Sequence, residues 1–401
     1  MQIERATNRS VRRRNRSVLL SKLFLAGPLT RQDLAGRTGL SQAAVSVVIA
    51  ELIDEGLVAE AGTMESDGGR PRIVLRIAPR FAYVIGVDVG ETRVRVELFD
   101  LAMTALATVD YPIDPGRPEP ETVVGHVATG LAHVTEQAGV TAADVLGAGI
   151  GVSGVVEQGS RAVVHAQTLG WDAVPFEHLL QRAGVDVALH VDNGAKTLGQ
   201  AEMWFGAGRG AQNAVFALIG SGVGAAVVTN GFTYRGASSS AGEWGHTTLV
   251  YGGRQCRCGA RGCLEAYVGA GAIVDRYRVA RRGHAVAPLD EEAAINALIA
   301  DAGTSRAARR VLDETAGFIG AGVANLINLF NPERIVIGGW AGIVLGARLL
   351  PAIREAAQAH ALRLPYRQAS IELCQLGVDA VALGAATLPI ARLVSNGGVR
   401  G

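Results

Sequence analysis

The chain has 401 residues, of which 49% are hydrophobic and 19% are charged, with a formal net charge of +1. This composition excludes an intrinsically disordered chain, a collagen and a small disulfide-stabilised scaffold. The length is enough for two or three domains with sizeable cores. The 52 glycines and few aromatic residues favour an α/β protein with many tight turns.

The charge is unevenly distributed along the chain. Residues 1–80 contain 13 Arg or Lys and 8 Asp or Glu, a net charge of +5, and the remainder carries −4. Such a basic segment attracts a polyanion through electrostatics and counterion release. The N-terminus superficially resembles a signal peptide, but Ser21 and Lys22 interrupt its apolar run. No apolar run approaches the roughly 20 residues that span a bilayer. We therefore expect a cytoplasmic protein with no membrane partner.

Residues 15–77 indicate three helices followed by a hairpin. Thr30, with Asp33 three positions later, predicts a capping box at the start of the second helix. Ser41 is placed to cap the third helix, in which apolar residues recur at the spacing of a buried face. These core positions are Val45, Val48, Ile49 and Leu52. The spacing is typical of a helix-turn-helix.

A hairpin with Arg70 and Arg72 at its tip would complete a winged helix-turn-helix over residues 1–80. In this interpretation the third helix enters the major groove, where the Gln42 amide can pair with adenine. The two arginines contact phosphate or the narrow minor groove. The candidate DNA-binding residues are Thr30, Arg31, Ser41, Gln42, Ala43, Ser46, Arg70 and Arg72. The alternative is a small helical interaction module whose basic residues are merely solvated.

From Phe81 onward the pattern changes to strand, glycine turn and strand. One turn contains Asp88 and Gly90, and a second version occurs at 220–224, before a hairpin turn at Asn230 and Gly231. Each turn alone could be only a turn, but two of them predict two related α/β lobes of an actin-like, ribonuclease H-like sugar kinase fold. In that fold both glycine loops bind nucleotide phosphates. The predicted lobes are 81–200 with 381–401, and 201–380.

One imidazole and three thiols fall close together in GHTTLVYGGRQCRCGARGCLE. His246, Cys256, Cys258 and Cys263 form the ligand set of a closed, tetrahedral structural zinc, one per chain. Free cysteines or redox chemistry are the alternatives. A disulfide between Cys256 and Cys258 would be badly strained.

GEWGH followed by CRCGARGCLE, together with the two glycine turns, resembles the ROK family of repressors and sugar kinases. The helix-turn-helix resembles its xylose and N-acetylglucosamine repressor branch. The resemblance implies a sugar-responsive repressor of carbohydrate genes, bound to an inverted-repeat DNA operator as a homodimer or homotetramer. It also implies a sugar or sugar-phosphate effector held by Asn193, Glu243, His246 and Glu265, with His246 binding zinc through its other nitrogen. Otherwise the two glutamates are solvated surface acids.

The chain departs from the family's kinases where catalysis needs specific residues. Gly194 stands where kinases have the aspartate that acts as general base, and Glu91 stands where the first phosphate loop usually has glycine. Ala225 and Thr168 also differ from the kinase pattern. We therefore expect no enzyme activity and doubt ATP binding.

Two rival functions remain open: an active sugar kinase that carries a DNA-binding domain, and a regulator controlled by a protein partner. The role of Lys196 is also open. It either meets a phosphate on the effector or pairs with a carboxylate such as Asp192.

Overall fold

The computed structural model describes residues 8–65, 71–113, 118–159, 161–281 and 290–400. Its elements form an N-terminal head and two larger α/β units, each built on a five-stranded sheet. Arg70, one of the predicted DNA-binding residues, lies outside the described residues.

The head is a winged helix-turn-helix, as the sequence predicts. Its elements are α1 (Asn8–Ala26), β1 (Leu29–Thr30), α2 (Arg31–Thr38), α3 (Gln42–Asp54), β2 (Val58–Met64) and β3 (Arg72–Ile77). The three strands pair antiparallel in the order β1-β3-β2. Thr30 and Asp33 form the predicted capping box of α2, and Gly39 ends that helix with a φ of 71°.

The first lobe contains a meander continued by two parallel strands. Its elements are β4 (Tyr83–Val89), β5 (Arg93–Asp100), β6 (Ala105–Pro112), α4 (Pro120–Ala138), β7 (Val145–Val152), β8 (Val155–Glu157), β9 (Val163–Ala166), β10 (Trp171–Val174), α5 (Phe176–Arg182), β11 (Leu189–Asn193) and α6 (Gly194–Phe205). The main sheet has the order β6-β5-β4-β7-β11, in which β4–β6 are antiparallel and β7 and β11 are parallel to β4.

The second lobe repeats this topology. Its elements are β12 (Ala214–Ile219), β13 (Val223–Thr229), β14 (Phe232–Thr233), α7 (Glu265–Val268), α8 (Ala270–Ala280), α9 (Glu291–Asp301), α10 (Arg306–Phe330), β15 (Arg334–Gly338), α11 (Trp340–His360), α12 (Arg363–Gln368), β16 (Ser370–Leu373) and α13 (Ala380–Ser395). The sheet order is β14-β13-β12-β15-β16, again a meander followed by two parallel strands. The predicted fold class, a winged head on a two-lobed actin-like body, is confirmed.

Helix α13 returns the chain to the first lobe and lies directly on its sheet. A Cβ added to Gly86 would be 2.0 Å from the Ala382 carbonyl oxygen, and one added to Gly149 would be 1.8 Å from that of Ala385. Glycine on two neighbouring strands is therefore needed for this close approach.

The same helix also packs against the head. Ile390 and Leu393 of α13 belong to the hydrophobic core that contains Leu19 and Leu20 of α1 and Leu52 of α3. The head and the first lobe consequently share one core rather than meeting at a polar surface. The division into domains at residues 80 and 200 stays a prediction.

One described stretch has the length and composition of a membrane-spanning helix, which corrects the expectation that none would. Gly377–Ser395 has a mean hydropathy of 1.5, but 56% of this segment is buried inside the protein. Because α13 packs against the first sheet and the head, its apolar composition has an explanation within the fold.

Candidate functional site

Helix α3 presents one buried and one exposed face. The predicted core positions Val45, Val48, Ile49 and Leu52 are buried. Gln42, Ala43 and Ser46 are exposed on the other face. The Ser41 hydroxyl oxygen accepts a hydrogen bond from the Ala44 amide at 3.2 Å, which caps the helix. Short side chains at the N-terminal end of this helix are therefore free to reach another molecule.

The other predicted DNA-binding positions differ in accessibility. Arg72 is exposed at the first residue of β3, and Arg31 is half-buried at the start of α2. Thr30 is only 2% exposed, and its hydroxyl donates to the Asp33 carboxylate at 2.7 Å. The capping box therefore uses the Thr30 hydroxyl, and the assignment of Thr30 to the DNA interface stays a prediction.

A cleft between the lobes brings together all four predicted sugar-binding residues. It encloses about 510 Å³ of empty space, partly open to solvent, and Asn193, Glu243, His246 and Glu265 line it. Both glycine turns reach it, through Glu91 in the first lobe and Gly222 in the second. The cleft lies where parallel strands β7 and β11 end, which is the usual position for a binding site in an α/β sheet.

Asn193 is largely occupied by contacts within the protein. Its Oδ1 accepts hydrogen bonds from the amides of Ala195 at 2.9 Å and Lys196 at 3.2 Å, which caps α6. Its Nδ2 donates to the Gly154 carbonyl oxygen at 2.7 Å. One N–H remains for a ligand, so Asn193 chiefly fixes the position of the α6 N-terminus at the cleft.

The carboxylates of Glu243 and Glu265 supply hydrogen-bond acceptors. Glu265 is 5% exposed, and its Oε2 accepts from the Val223 amide at 3.0 Å, at the second glycine turn. Its Oε1 lies 3.6 Å from Arg257 Nε. Burial raises the pKa of Glu243 above its usual value. Neither group is a fully solvated surface acid, the alternative considered from the sequence.

The four predicted metal ligands meet in one cluster. The ligand atoms of His246, Cys256, Cys258 and Cys263 all lie within 4.8 Å of one another. Cys256 Sγ is 3.7 Å from His246 Nδ1, and Cys258 Sγ is 3.7 Å from Cys263 Sγ. All three cysteines are free thiols. Zinc–sulfur bonds of about 2.3 Å in a tetrahedron put neighbouring sulfurs about 3.8 Å apart, so these side chains could hold a zinc ion.

The metal cluster and the cleft share a residue. His246 Nδ1 faces Cys256, while the same imidazole lines the cleft. Burial raises the pKa of Cys256 to about 12, so this thiol stays protonated unless a cation binds. A metal at the cluster would therefore fix the tautomer and orientation of a side chain that lines the cleft.

Lys196 does not pair with Asp192, one of the two partners considered from the sequence. Its ammonium group donates to the Ser239 carbonyl oxygen. Lys196 as a whole is 3% exposed and is not among the described residues that line the cleft. Asp192 instead forms a two-point ion pair with Arg235, with N–O distances of 2.5 and 3.1 Å. This arrangement corrects the expected pairing of Lys196 with Asp192, whereas the contact with an effector phosphate stays a prediction.

Sequence reasoning missed Ser153, which lines the cleft. Its hydroxyl donates to Glu91 Oε1 at 2.9 Å. Ser153 directly follows the buried strand β7, and a polar residue at the carboxyl end of such a strand was a usable signal. Arg257 was also missed, and its guanidinium donates to the Ser221 carbonyl oxygen of the second glycine turn.

Comparisons with known proteins agree with this architecture. Residues 84–392 match the ROK family. The xylose repressor of Caldicellulosiruptor bescii is 29% identical over 387 residues, which covers 95% of this chain and 96% of that protein. A glucokinase of Halalkalibacterium halodurans is 32% identical over 313 residues, covering 75% of this chain and 93% of that protein.

Among solved structures, a ROK family transcriptional regulator described as a homologue of the E. coli MLC protein superposes with a TM-score of 0.77. That similarity covers 97% of this chain and 98% of that one at 23% identity, so it supports the fold. The regulators match nearly the whole chain, head included, whereas the glucokinase matches three quarters of it. The chain belongs to the ROK family.

Proposed function

We propose that this protein is a sugar-responsive transcriptional repressor whose kinase-like body senses the effector and does not phosphorylate it. The observation that carries the proposal is the shared helix α13, which packs against the sheet of the first lobe and against the head. A cleft suited to hydroxyl groups and an exposed, capped α3 are thereby parts of one connected structure. The full-length similarity to a xylose repressor supports the same assignment.

On DNA, each head binds one half-site of a symmetric operator. Helix α3 enters the major groove with Gln42, Ala43, Ser46 and the Ser41 cap at the base edges, and Arg31, Arg72 and Arg70 contact phosphate or the minor groove. Two heads in a homodimer or homotetramer bind an inverted-repeat operator. Such a protein works in the cytoplasm, where the operator and the effector are both present.

In the body, Glu243, His246 and Glu265 bind the sugar hydroxyls, and Asn193 contributes its remaining N–H. One zinc per chain is held by His246 and the three cysteines as a closed structural site. The distances of 3.7 Å between paired ligand atoms support this assignment. The metal keeps the His246 ring in place beside the ligand.

Effector binding changes DNA affinity through α6 and α13. Asn193 caps α6 at the cleft, and α6 packs so closely on α13 that a Cβ at Gly384 would lie 1.9 Å from the Thr197 carbonyl oxygen. A shift of α6 on closing the cleft therefore moves α13 and with it the head. The sugar favours the arrangement in which the two heads no longer match their half-sites.

Phosphoryl transfer is not part of this function. Gly194 has no side chain to accept the proton of a sugar hydroxyl, and Glu91 places a carboxylate between the two glycine turns. The rival assignment is an active sugar kinase with a DNA-binding head, which the 32% identity to a glucokinase favours. The absence of a general base at position 194 argues against kinase activity.

The decisive experiment uses the full-length protein and a pool of random DNA duplexes. We expect selection to enrich an inverted repeat, and one of a panel of sugars to weaken binding to it about 5–150-fold, the usual range of such coupling. Glu243→Gln should lose the sugar effect but keep DNA binding, whereas Glu136→Gln, an exposed carboxylate on α4, should keep both. Failure to enrich any sequence would overturn the proposal.

A further inference from the structure

Helix α6 extends from the cleft to the contact between the head and the body. Its first residues, Gly194 and Ala195, line the cleft. Its 12 residues span about 18 Å at the rise of an α-helix. Near its other end, Trp204 packs against the hydrophobic core that the head shares with α13. One short helix therefore contacts both the cleft and the core of the head.

The cleft end of α6 is attached to the second lobe. The Lys196 ammonium group donates to the Ser239 carbonyl oxygen, and Asp192, which precedes the helix, forms an ion pair with Arg235. Ser239 and Arg235 belong to the segment that leads from β14 to Glu243, whose side chain lines the cleft. A ligand that binds Glu243 therefore acts on the segment that holds the start of α6.

The other end of α6 lies beside the last turn of α1 in the head. Arg209, in the turn that follows α6, donates from Nη2 to the Leu25 carbonyl oxygen at 3.2 Å. Carbonyl oxygens in the last turn of a helix lack a partner within the helix and favour a cation. The last turn of α1 contains no basic residue of its own. Arg209 therefore makes a direct, charge-assisted contact between the body and the head.

A cavity beside Trp204 leaves room for this end of α6 to move. It encloses about 840 Å³ of empty space, partly open to solvent, between α1, α6 and α13. Trp204 lines it together with Phe24 and Leu25 of α1 and Ala391 and Val394 of α13. A close-packed core resists small displacements, whereas a side chain beside a void can move without a clash. The Trp204 indole can therefore shift relative to α1.

We propose that Trp204 and Arg209 couple effector binding to the head directly, through the contacts of α6 and its following turn with α1. The inference rests on the proposed sugar-sensing function and adds a direct contact to the route through α13. When the cleft closes, α6 moves, and the two side chains displace the last turn of α1. Residues 27–30 alone join α1 to α2, so this displacement changes the orientation of the helix-turn-helix. Both are positioning residues that contact neither the sugar nor DNA.

The test measures two binding equilibria of the full-length protein, each with and without the other ligand. The DNA probe is the duplex that selection enriches, and the sugar probes are xylose, glucose and N-acetylglucosamine. The coupling factor is the ratio of the DNA dissociation constants with and without sugar, and the corresponding ratio for the sugar must equal it. We expect a coupling factor of about 5–150 for wild type.

Trp204→Ala should lower the coupling factor towards one, by about 2–30-fold, the range for residues that carry coupling without touching either ligand. Its affinity for the sugar alone and for DNA alone should stay close to that of wild type. Trp204→Phe keeps an aromatic ring and should restore most of the coupling. Phe232→Ala removes a ring that is 79% exposed on β14 and should leave both affinities and the coupling factor unchanged.

Arg209→Ala is the second variant, and it keeps the test decisive if melting curves without ligand show that Trp204→Ala fails to fold. It removes the bond to Leu25 and should lower the coupling factor in the same direction. Arg182→Ala removes the same charge from an exposed position of α5 and should keep wild-type coupling.

Three outcomes would contradict these expectations. If Trp204→Ala and Arg209→Ala, or whichever of them folds, kept wild-type coupling, the inference would be overturned and the proposed sensor would stand. A loss of sugar or DNA affinity with an unchanged coupling factor would also overturn it, since the residues would then only stabilise a binding site. If no sugar changed DNA binding by wild type, the sugar-sensing function itself would be overturned, and this inference with it.

Discussion

The Arg16 guanidinium donates through Nε to the Gly397 carbonyl oxygen at 2.6 Å, although 381 positions separate the two residues in sequence. The same guanidinium forms an ion pair with Glu55, just beyond the end of α3. Arg16 is 8% exposed. One buried cation on α1 thus connects the end of α3 with the segment that follows α13.

Replacing this cation should destabilise the whole protein. We expect Arg16→Ala to lower the free energy of unfolding by about 3 kcal/mol, at the low end for a broken buried ion pair because Glu55 is half-exposed. Arg14→Ala removes the same charge from an exposed position of α1 and should change it by less than about 0.5 kcal/mol. Urea unfolding of both variants measures the difference. If both variants lost a similar free energy of unfolding, the loss of positive charge, and not the loss of the Gly397 contact, would be responsible.

The stability of the first lobe should depend on pH through Asp88. Burial, assisted by the nearby Glu91, raises the pKa of Asp88 to about 7. The folded protein therefore binds this proton more tightly than the unfolded chain, and the resulting stability is complete below about pH 4 and lost as the pH rises through 7. We expect Asp88→Asn to gain about 2–4 kcal/mol relative to wild type between pH 4 and pH 8. A constant difference across urea titrations at these pH values would contradict this pKa.

Contacts to bases and contacts to phosphates should respond differently to mutation. Gln42→Ala should change the preferred base at one position of each half-site, at a cost of about 1–3 kcal/mol for the best operator. Arg72→Ala should weaken binding to every sequence and reduce the salt dependence of log K by about one unit. Fluorescence anisotropy over a salt series measures both effects, with Arg182→Ala on α5 as the control. Wild-type behaviour of both head variants would remove α3 and β3 from the DNA interface.

The metal cluster should hold about one zinc per chain. Cys258→Ser should lose the metal and, because His246 is then free to turn, also weaken sugar binding. Cys374→Ser is the matched control, since Cys374 lies outside the cluster and contacts Glu202 at 2.8 Å, a contact that a serine hydroxyl can keep. Elemental analysis and a sugar titration give the two readings. Loss of zinc with unchanged sugar affinity would show that the metal stabilises the fold but does not position His246 for sugar binding.

The general-base carboxylate that kinases have at position 194 can be introduced without a steric clash. A Cβ at Gly194 would meet no atom closer than 3.7 Å, so Gly194→Asp fits the backbone. We expect no ATP-dependent phosphorylation by wild type or by this variant, since the Glu91 side chain still lies beside the second glycine turn. The double variant with Glu91→Gly should show the first measurable turnover, because general base catalysis contributes about 10²–10⁴-fold. A coupled assay measures the rates, and turnover by wild type at about 1 s⁻¹ or more would contradict a silent kinase fold.

Local signals in the sequence predicted the parts of the molecule that local forces determine. The Thr30 capping box, the buried face of α3 and the Asn230–Gly231 turn each depend on residues within a few positions of one another, and each is found in the structure. The convergence of His246 with three cysteines was also predictable, because all four lie within 18 residues.

The side-chain contacts that the sequence did not predict join residues that are distant in sequence. Lys196 donates to the Ser239 carbonyl and not to nearby Asp192, because Arg235 already occupies that carboxylate. The contact of Glu91 with Gly222 joins two lobes and has no local signature. Residue type alone also does not show that the Thr30 hydroxyl is buried and bonded to Asp33.

The packing of α13 between the first sheet and the head also determines when the head can finish folding. Leu19 and Leu20 leave the ribosome long before Ile390 and Leu393, which belong to the same core. At about 5–20 residues per second these two ends appear tens of seconds apart. Until α13 has been synthesised, the head exposes apolar surface that this helix later covers. A nascent chain that carries the entire helix-turn-helix but not α13 therefore still lacks part of the core of the head.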